Sequence, residues 1–221
     1  MSVLIFIDTA EGHVKKVSHE VLSYGAKVAE QLGTTAEAIV LGAVSDDLAS
    51  LGKYGVKKIH HVANDTLNNL DAQVYTKVIA QVAAACNAKL IIFSNNLNGK
   101  AIAPRLSVRM KAGLVAGAVA LPDTSNGFVV RKNVFSGKAF ANIAVSTDVK
   151  IIALNPNAFQ VITGEGLAEV VPFNASVDAP KVKVTAVNKT SGDSADRSRD
   201  SGKCGPWIKR SRKLGHGRRV G

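Results

Sequence analysis

The chain has 221 residues, of which 46% are hydrophobic and 5% aromatic, so it can bury one large core or two small ones. Its formal net charge is +11, but nine basic and two acidic residues fall within residues 194–221, and the rest of the chain carries only +4. The apolar residues 3–7 are too few for a signal peptide, and no run reaches the roughly 18 apolar residues of a membrane span, so we expect a cytoplasmic protein without membrane insertion.

The first part of the chain alternates short apolar runs with helical patterns. Buried strands are predicted over residues 3–7, 38–41 and 90–93, and a further strand, with its histidines at a half-exposed end, over residues 58–62. One helix should carry Val17, Val21, Val28 and Leu32 on a single stripe and end at Gly33, a second should run from about Asp71 to Cys86, and Asp46 should cap a short helix between them. This alternation predicts an α/β fold with a doubly wound, mainly parallel sheet.

The pattern changes after Gly113. Closely spaced strands are predicted over residues 128–135, 138–145, 150–154, 168–173 and 181–187. They indicate a β-hairpin extension and sheet-edge strands added to the same core, which gives one domain over residues 1–190. Residues 191–221 are rich in Gly, Ser and basic residues without either periodicity, and they are expected to form a disordered basic tail.

Polar residues at the carboxyl ends of the first and fourth strands are the first candidates for a ligand site. These are Asp8, Thr9 and the loop 95–100, with Lys100 and Arg105 near a helix start that could hold a phosphate. The loop matches neither GxGxxG nor GxxxxGK[ST]. An ordinary polar turn is therefore the preferred interpretation.

Other reactive residues offer no clear chemistry. His60 and His61 are neighbours in a strand and point to opposite faces, and His13 and His19 are expected to be exposed. Ser136 precedes Gly137, but Val134 stands where a nucleophile elbow needs Gly.

The two cysteines are far apart and form neither a CxxC pair nor a zinc pattern. Cys86 lies on an apolar helix stripe and is expected to behave as a small buried hydrophobe, and Cys204 lies in the tail. We predict no catalytic residue, no cofactor-binding residue and no metal ligand in this chain.

Three stretches together resemble the N-terminal domain of the electron transfer flavoprotein alpha subunit. They are Val3–Asp8, the segment Ile91–Lys100 running into Pro104–Leu106, and Phe128–Ala139, in which an Arg, an aromatic residue and Gly-Lys-Ala mark the hairpin of alpha subunits. The sequence departs from the family at Asn155–Asn157, where an Arg is more usual. The resemblance covers about residues 1–190.

The resemblance implies a nucleotide-binding-like fold of the adenine nucleotide alpha hydrolase type. It also implies a heterodimer with a beta subunit that carries FAD and shuttles electrons from acyl-CoA dehydrogenases to a membrane quinone oxidoreductase, without a catalytic site in this domain. With no transit peptide in the sequence, a bacterial cytoplasm is favoured over a mitochondrial matrix.

The family's FAD domain is expected to be missing here because of a frameshift. When Gly205–His216 is back-translated and shifted by one base, it becomes similar to the family's entry into the flavin domain. We expect the frame to change near Asp193 and Ser194, so that the tail is out of frame and the remaining domain does not retain FAD.

Two other classes remain open from the sequence. A nucleotide-binding module of the universal-stress type shares such a core but needs a Gly-rich phosphate loop that the sequence does not show. A nucleic-acid binder could use the basic tail and Trp207, although nucleic acid is the less expected partner.

Overall fold

The computed structural model describes residues 2–179, 182, 184 and 185, and its centre is a nine-stranded sheet with a separate two-stranded hairpin. In chain order the strands are β1 (Ser2–Phe6), β2 (Thr9–Ala10), β3 (His13–Val14), β4 (Thr35–Leu41), β5 (Lys58–Val62), β6 (Ala88–Ser94), β7 (Gly113–Ala118), β8 (Val129–Val134), β9 (Ala139–Ala144), β10 (Lys150–Leu154) and β11 (Glu169–Pro172). The α-helices are α1 (Lys16–Gln31), α2 (Ala72–Ala85) and α3 (Leu97–Met110), and short 3₁₀ helices occupy Ala49–Tyr54, Asp65–Leu67 and Phe135–Gly137.

The large sheet is mainly parallel. Its strand order is β11-β5-β4-β1-β6-β10-β7-β8-β9, and only the β7–β8 and β8–β9 pairs are antiparallel. Residues of α1 belong to the apolar core on one face, whereas residues of α2 and α3 belong to the core on the other. The prediction of a doubly wound α/β fold with a β-hairpin extension is therefore confirmed, with β8 and β9 forming the hairpin.

Local signals set several element boundaries. All five residues of β1 are buried because helices cover both faces of the sheet. The Asp71 side chain accepts hydrogen bonds from the amides of Gln73 and Val74, which caps α2 as predicted. Gly33 follows the end of α1 with a φ of 61°.

The structure differs from the sequence predictions at three places. β7 was not predicted. β10 was predicted as a sheet-edge strand, but it lies between β6 and β7 in the middle of the sheet. Asp46 does not cap the short helix. Its carboxylate instead accepts hydrogen bonds from the His13 ring and the Val14 amide, while Asp47 accepts one from the Ala49 amide.

Most of the predicted strand over residues 181–187 lies outside the described residues. The predicted disordered tail, including Cys204 and Trp207, lies outside them altogether.

Candidate functional site

The strand order changes direction at β1. The chain moves from β1 to β4 and β5 on one side and then returns to place β6 on the other side. In open parallel sheets the carboxyl ends of two such strands border a crevice, which is the usual ligand position. Asp8 follows β1 and the loop 95–98 follows β6, so the structure brings these predicted site residues together.

The Asp8 carboxylate is the centre of a closed polar cluster. Its Oδ2 accepts hydrogen bonds from Asn96 Nδ2 at 2.6 Å and from Lys15 Nζ at 2.9 Å, and its Oδ1 accepts one from Asn98 Nδ2 at 2.7 Å. Only 5% of the Asp8 side chain is exposed. A buried carboxylate with one cationic and two amide donors is fully compensated, as a buried charge needs to be.

Backbone contacts fix the position of Asp8. Its amide donates to Ser18 Oγ, and the Ser18 hydroxyl donates back to the Asp8 carbonyl oxygen. Ser18 is a buried residue of α1, so the first helix holds the end of β1 in place.

The turn between β6 and α3 is equally constrained. Asn96 is the N-cap of α3, and its Oδ1 accepts a hydrogen bond from the Gly99 amide. A Cβ at Gly99 would lie 1.9 Å from the carbonyl oxygen of Ser94, so no other residue fits without movement of the backbone. Gly99 therefore allows α3 to start directly against the end of β6.

This arrangement does not favour the binding of an anion at the strand ends. The buried Asp8 carboxylate occupies the crevice, and the Asn96 side chain already accepts from an amide of the first turn of α3. The side chains of Lys100 and Arg105 are exposed and form no ion pair with any described residue. The alternative of a phosphate-binding loop thus gains no support from the geometry.

A cavity of about 380 Å³ adjoins the cluster, between the loops that follow β1 and β4. Thr9 lines this cavity, as do Asp8, Asn68 and Tyr75. The Tyr75 hydroxyl donates to the carbonyl oxygen of Leu67, and burial raises the pKa of the phenol to about 12. Tyr75 is thus a neutral hydrogen-bonding group at this wall.

The histidines are separated, as the strand pattern predicted for His60 and His61. His60 Nε2 pairs with Glu37 Oε2 at 2.6 Å, whereas His61 Nε2 lies 2.9 Å from the carbonyl oxygen of Gly42. His13 is exposed and bonds Asp46. The prediction that His19 is exposed is wrong: its ring is half-buried against Tyr54, with 4.9 Å between ring centres.

The remaining candidates are dispersed. Ser136 lies in the turn between β8 and β9 with a φ of 55°, and it is exposed. Cys86 ends α2 and is half-buried against the apolar core, and burial raises the pKa of its thiol. Sequence reasoning missed Glu37, which the structure places beside His60 and Cys86. The available signal was that β4 and β5, which pair in parallel, each carry a polar residue among apolar ones.

Two observations bear on the class of protein. Within the described residues, no helix is both long enough and apolar enough to cross a membrane. A model of the electron transfer flavoprotein domain matches residues 3–187. The chain belongs to the electron transfer flavoprotein family.

Curated relatives define its place in that family. Electron transfer flavoprotein subunit alpha of Syntrophomonas wolfei is 28% identical over 185 residues, which are 82% of this chain and 56% of the relative. Protein FixB of Clostridium saccharobutylicum is 26% identical over 186 residues, 83% of this chain and 54% of the relative. The acryloyl-CoA reductase electron transfer subunit beta of Anaerotignum propionicum is 27% identical over 128 residues, 58% of this chain and 35% of the relative.

The chain spans about half the length of the first two of these relatives. Its matching part is an alpha-subunit N-terminal domain of the electron transfer flavoprotein family. The described residues do not fit the pyrophosphate of a flavin dinucleotide, because the crevice at the strand ends holds a buried carboxylate and no Gly-rich phosphate loop.

Proposed function

We propose that this chain is the scaffold part of an electron transfer flavoprotein alpha subunit. In this proposal it pairs with a beta subunit, and the assembled heterodimer uses FAD to carry electrons from acyl-CoA dehydrogenases to a membrane quinone oxidoreductase in a bacterial cytoplasm. The observation that carries the proposal is the family match over residues 3–187, which covers every strand and helix of the described fold except Ser2, the first residue of β1.

The site geometry supports a scaffold role for this domain. Its switch-point crevice is closed by the Asp8 cluster, so the proposal assigns no catalytic residue and no FAD contact to the described residues. FAD is then held by another part of the intact subunit, and the redox chemistry belongs to its isoalloxazine ring.

The hairpin of β8 and β9 is the surface that we propose for the beta subunit. β9 ends the order of the large sheet, so its outer edge pairs with no other strand of the described residues and offers backbone groups to a partner. Phe140 of β9 is 56% exposed and Phe135 at the turn is 80% exposed, which leaves large apolar side chains beside that edge. Such an edge is suited to burial against another protein.

Flavin content tests the proposal. The chain is expressed together with a beta subunit, purified as a complex, and analysed for subunit ratio and for flavin released on denaturation. We expect a one-to-one complex without stoichiometric flavin. A yellow complex with one flavin per heterodimer would refute the assignment of FAD to another part of the subunit, and failure to form a complex would refute the pairing.

The frameshift remains part of the proposal. It is supported by the back-translation of Gly205–His216, and these residues lie outside the described ones. Resequencing the gene from fresh genomic DNA across the codons for Lys189 to Gly205 tests it directly. An added or missing base would restore the reading frame and the flavin-domain entry, whereas an unchanged sequence would mean that the truncation is real. A chain with the restored frame is also the matched control for flavin content.

A further inference from the structure

We propose that Glu37, His60 and Cys86 bind a divalent metal ion of the zinc class where β4, β5 and the end of α2 meet. The three side chains offer one carboxylate oxygen, one ring nitrogen and one sulfur, and these atoms all lie within 4.8 Å of one another. This site is separate from the Asp8 cluster, and the inference does not depend on the electron-transfer proposal.

The fold brings the three residues together from distant parts of the chain. β4 and β5 pair in parallel with Ile39 opposite His60, so Glu37, two residues before Ile39, lies on the same face of the sheet as His60. Helix α2 covers this face, and Cys86 is its C-cap residue. The Ser2 hydroxyl donates to the carbonyl oxygen of Cys86, which ties the helix end to β1.

The distances are close to those of a loaded site. In tetrahedral zinc sites the Zn–S distance is about 2.3 Å and the Zn–N and Zn–O distances are about 2.0–2.2 Å, which places ligand atoms roughly 3.3–3.6 Å apart. His60 Nε2 and Glu37 Oε2 are now 2.6 Å apart, and the cluster as a whole spans at most 4.8 Å. To admit an ion, His60 Nε2 and Glu37 Oε2 have to move apart by roughly 0.7–1 Å.

Burial gives the cluster the properties of a ligand site. His60 is 8% exposed, and its Nδ1 has no hydrogen-bond partner among the described residues. Buried polar atoms without partners are uncommon, and in this ring Nε2 contacts the Glu37 carboxylate while Nδ1 has no partner among the described residues. The ring of Phe173 packs edge-on against His60, with 6.2 Å between ring centres, and helps to hold the imidazole in place.

Charge also favours a divalent ion. A thiolate, a carboxylate and a neutral imidazole together carry two negative charges, which one divalent cation neutralises. Binding of the ion displaces the thiol proton, because the thiolate is the ligand form of cysteine, and the three protein ligands leave a fourth position for water.

Cobalt binding tests the site, because Co²⁺ replaces Zn²⁺ and its thiolate complexes absorb light. The full chain is prepared with Cys204→Ser so that Cys86 is its only thiol, treated with chelator, and titrated with Co²⁺ and then Zn²⁺. We expect one Co²⁺ per chain, visible bands of a tetrahedral site and a sulfur-to-cobalt charge-transfer band, all removed by Zn²⁺. Absence of stoichiometric binding would overturn the proposal.

Variants then identify the ligands. Cys86→Ser should abolish the charge-transfer band, and His60→Gln or Glu37→Gln should weaken Co²⁺ affinity by at least about tenfold. The control is His13→Gln, an exposed histidine that pairs with Asp46 and should leave the titration unchanged. If His60→Gln and Glu37→Gln bind as the parent does, the thiol alone captures cobalt and the site is refuted.

A measurement on the parent chain alone tests the site even if the variants fail to fold. X-ray absorption of the zinc-loaded chain should show one sulfur at about 2.3 Å and nitrogen or oxygen ligands at about 2.0–2.2 Å. A shell of oxygen ligands only would overturn the proposal.

Discussion

The carboxylate of Asp8 and the side-chain amide of Asn96 are joined by a hydrogen bond of 2.6 Å, which connects the ends of β1 and β6 across the switch point of the sheet. The two residues are 88 positions apart in the chain. This contact joins two strand ends at the crevice in which an α/β domain usually binds its ligand, and it supports the proposed scaffold role of the described residues.

Removing the charge of Asp8 should destabilise the domain. We expect Asp8→Asn to lower the free energy of unfolding by about 2–3 kcal/mol, because three donors lose a buried anionic acceptor. Urea unfolding followed by circular dichroism measures the change. The control is Asp148→Asn, whose exposed carboxylate pairs with Lys89 at the surface and should cause no measurable change. Equal effects of the two substitutions would contradict the structural role of the Asp8 cluster.

The close contact at Gly99 should not tolerate a methyl group. Since a Cβ there would lie 1.9 Å from the Ser94 carbonyl oxygen, we expect Gly99→Ala to cost about 3 kcal/mol of unfolding free energy. Gly164→Ala is the matched control, because its Cβ would meet nothing closer than 3.8 Å, and it should change stability by less than about 0.5 kcal/mol. Thermal unfolding measures the stability of both variants. A Gly99→Ala protein as stable as the parent would contradict the close contact between residue 99 and the Ser94 carbonyl oxygen.

Glu20 fixes the loop that follows β10. Its buried carboxylate accepts hydrogen bonds from the amides of Asn157 and Phe159 at 3.0 and 2.8 Å. We expect Glu20→Ala to cost about 2 kcal/mol and to speed hydrogen exchange at these two amides, since they lose their acceptor. Glu30→Ala, at an exposed position of the same helix, should leave exchange there unchanged. Unaltered exchange in Glu20→Ala would show that the loop is held by other contacts.

His19 should make the domain sensitive to mild acid. Burial, and then the charge of Lys53, lower the pKa of its imidazole from 6.5, with a smaller opposing effect of Asp46. The unfolded chain therefore takes up a proton at higher pH than the folded chain, so the free energy of unfolding falls as the pH drops below about 6.5 and levels off below the folded pKa.

Urea midpoints between about pH 7.5 and 5 test this effect. His19→Gln should show a flatter pH dependence of stability than the parent. The pH dependence of Lys53→Met should be intermediate, because this substitution removes the Lys53 charge but leaves His19 buried. The same slope in His19→Gln and the parent would exclude His19 as the source.

The hairpin surface can be tested with one exposed residue. We expect Phe140→Glu to weaken binding of the beta subunit by at least about tenfold, because the side chain is 56% exposed beside the open edge of β9. Val108→Glu alters a more exposed apolar residue, 81% exposed on α3, and should bind as the parent does. Calorimetric titration of the two variants compares them, and loss of binding only in Val108→Glu would move the interface to α3.

Local sequence patterns determined much of the fold. The apolar runs of β1 and β10 and the caps of α2 at Asp71 and of α1 at Gly33 were predictable, because burial on both faces and helix ends leave signatures within a few residues. β7 was missed since its sequence, GLVAGA, has two glycines and a weak apolar pattern. The family assignment, too, came from short motifs in the sequence.

Only the tertiary structure decided which distant residues meet. No periodicity could show that β10 inserts between β6 and β7, that Asn96 and Asn98 both donate to Asp8, or that side-chain atoms of Glu37, His60 and Cys86 lie within 4.8 Å of one another. Each of these contacts depends on the order and register of parallel strands, which hydrogen bonds between segments far apart in the chain establish. The sequence by itself thus determined the elements and the family, whereas strand order determined the sites.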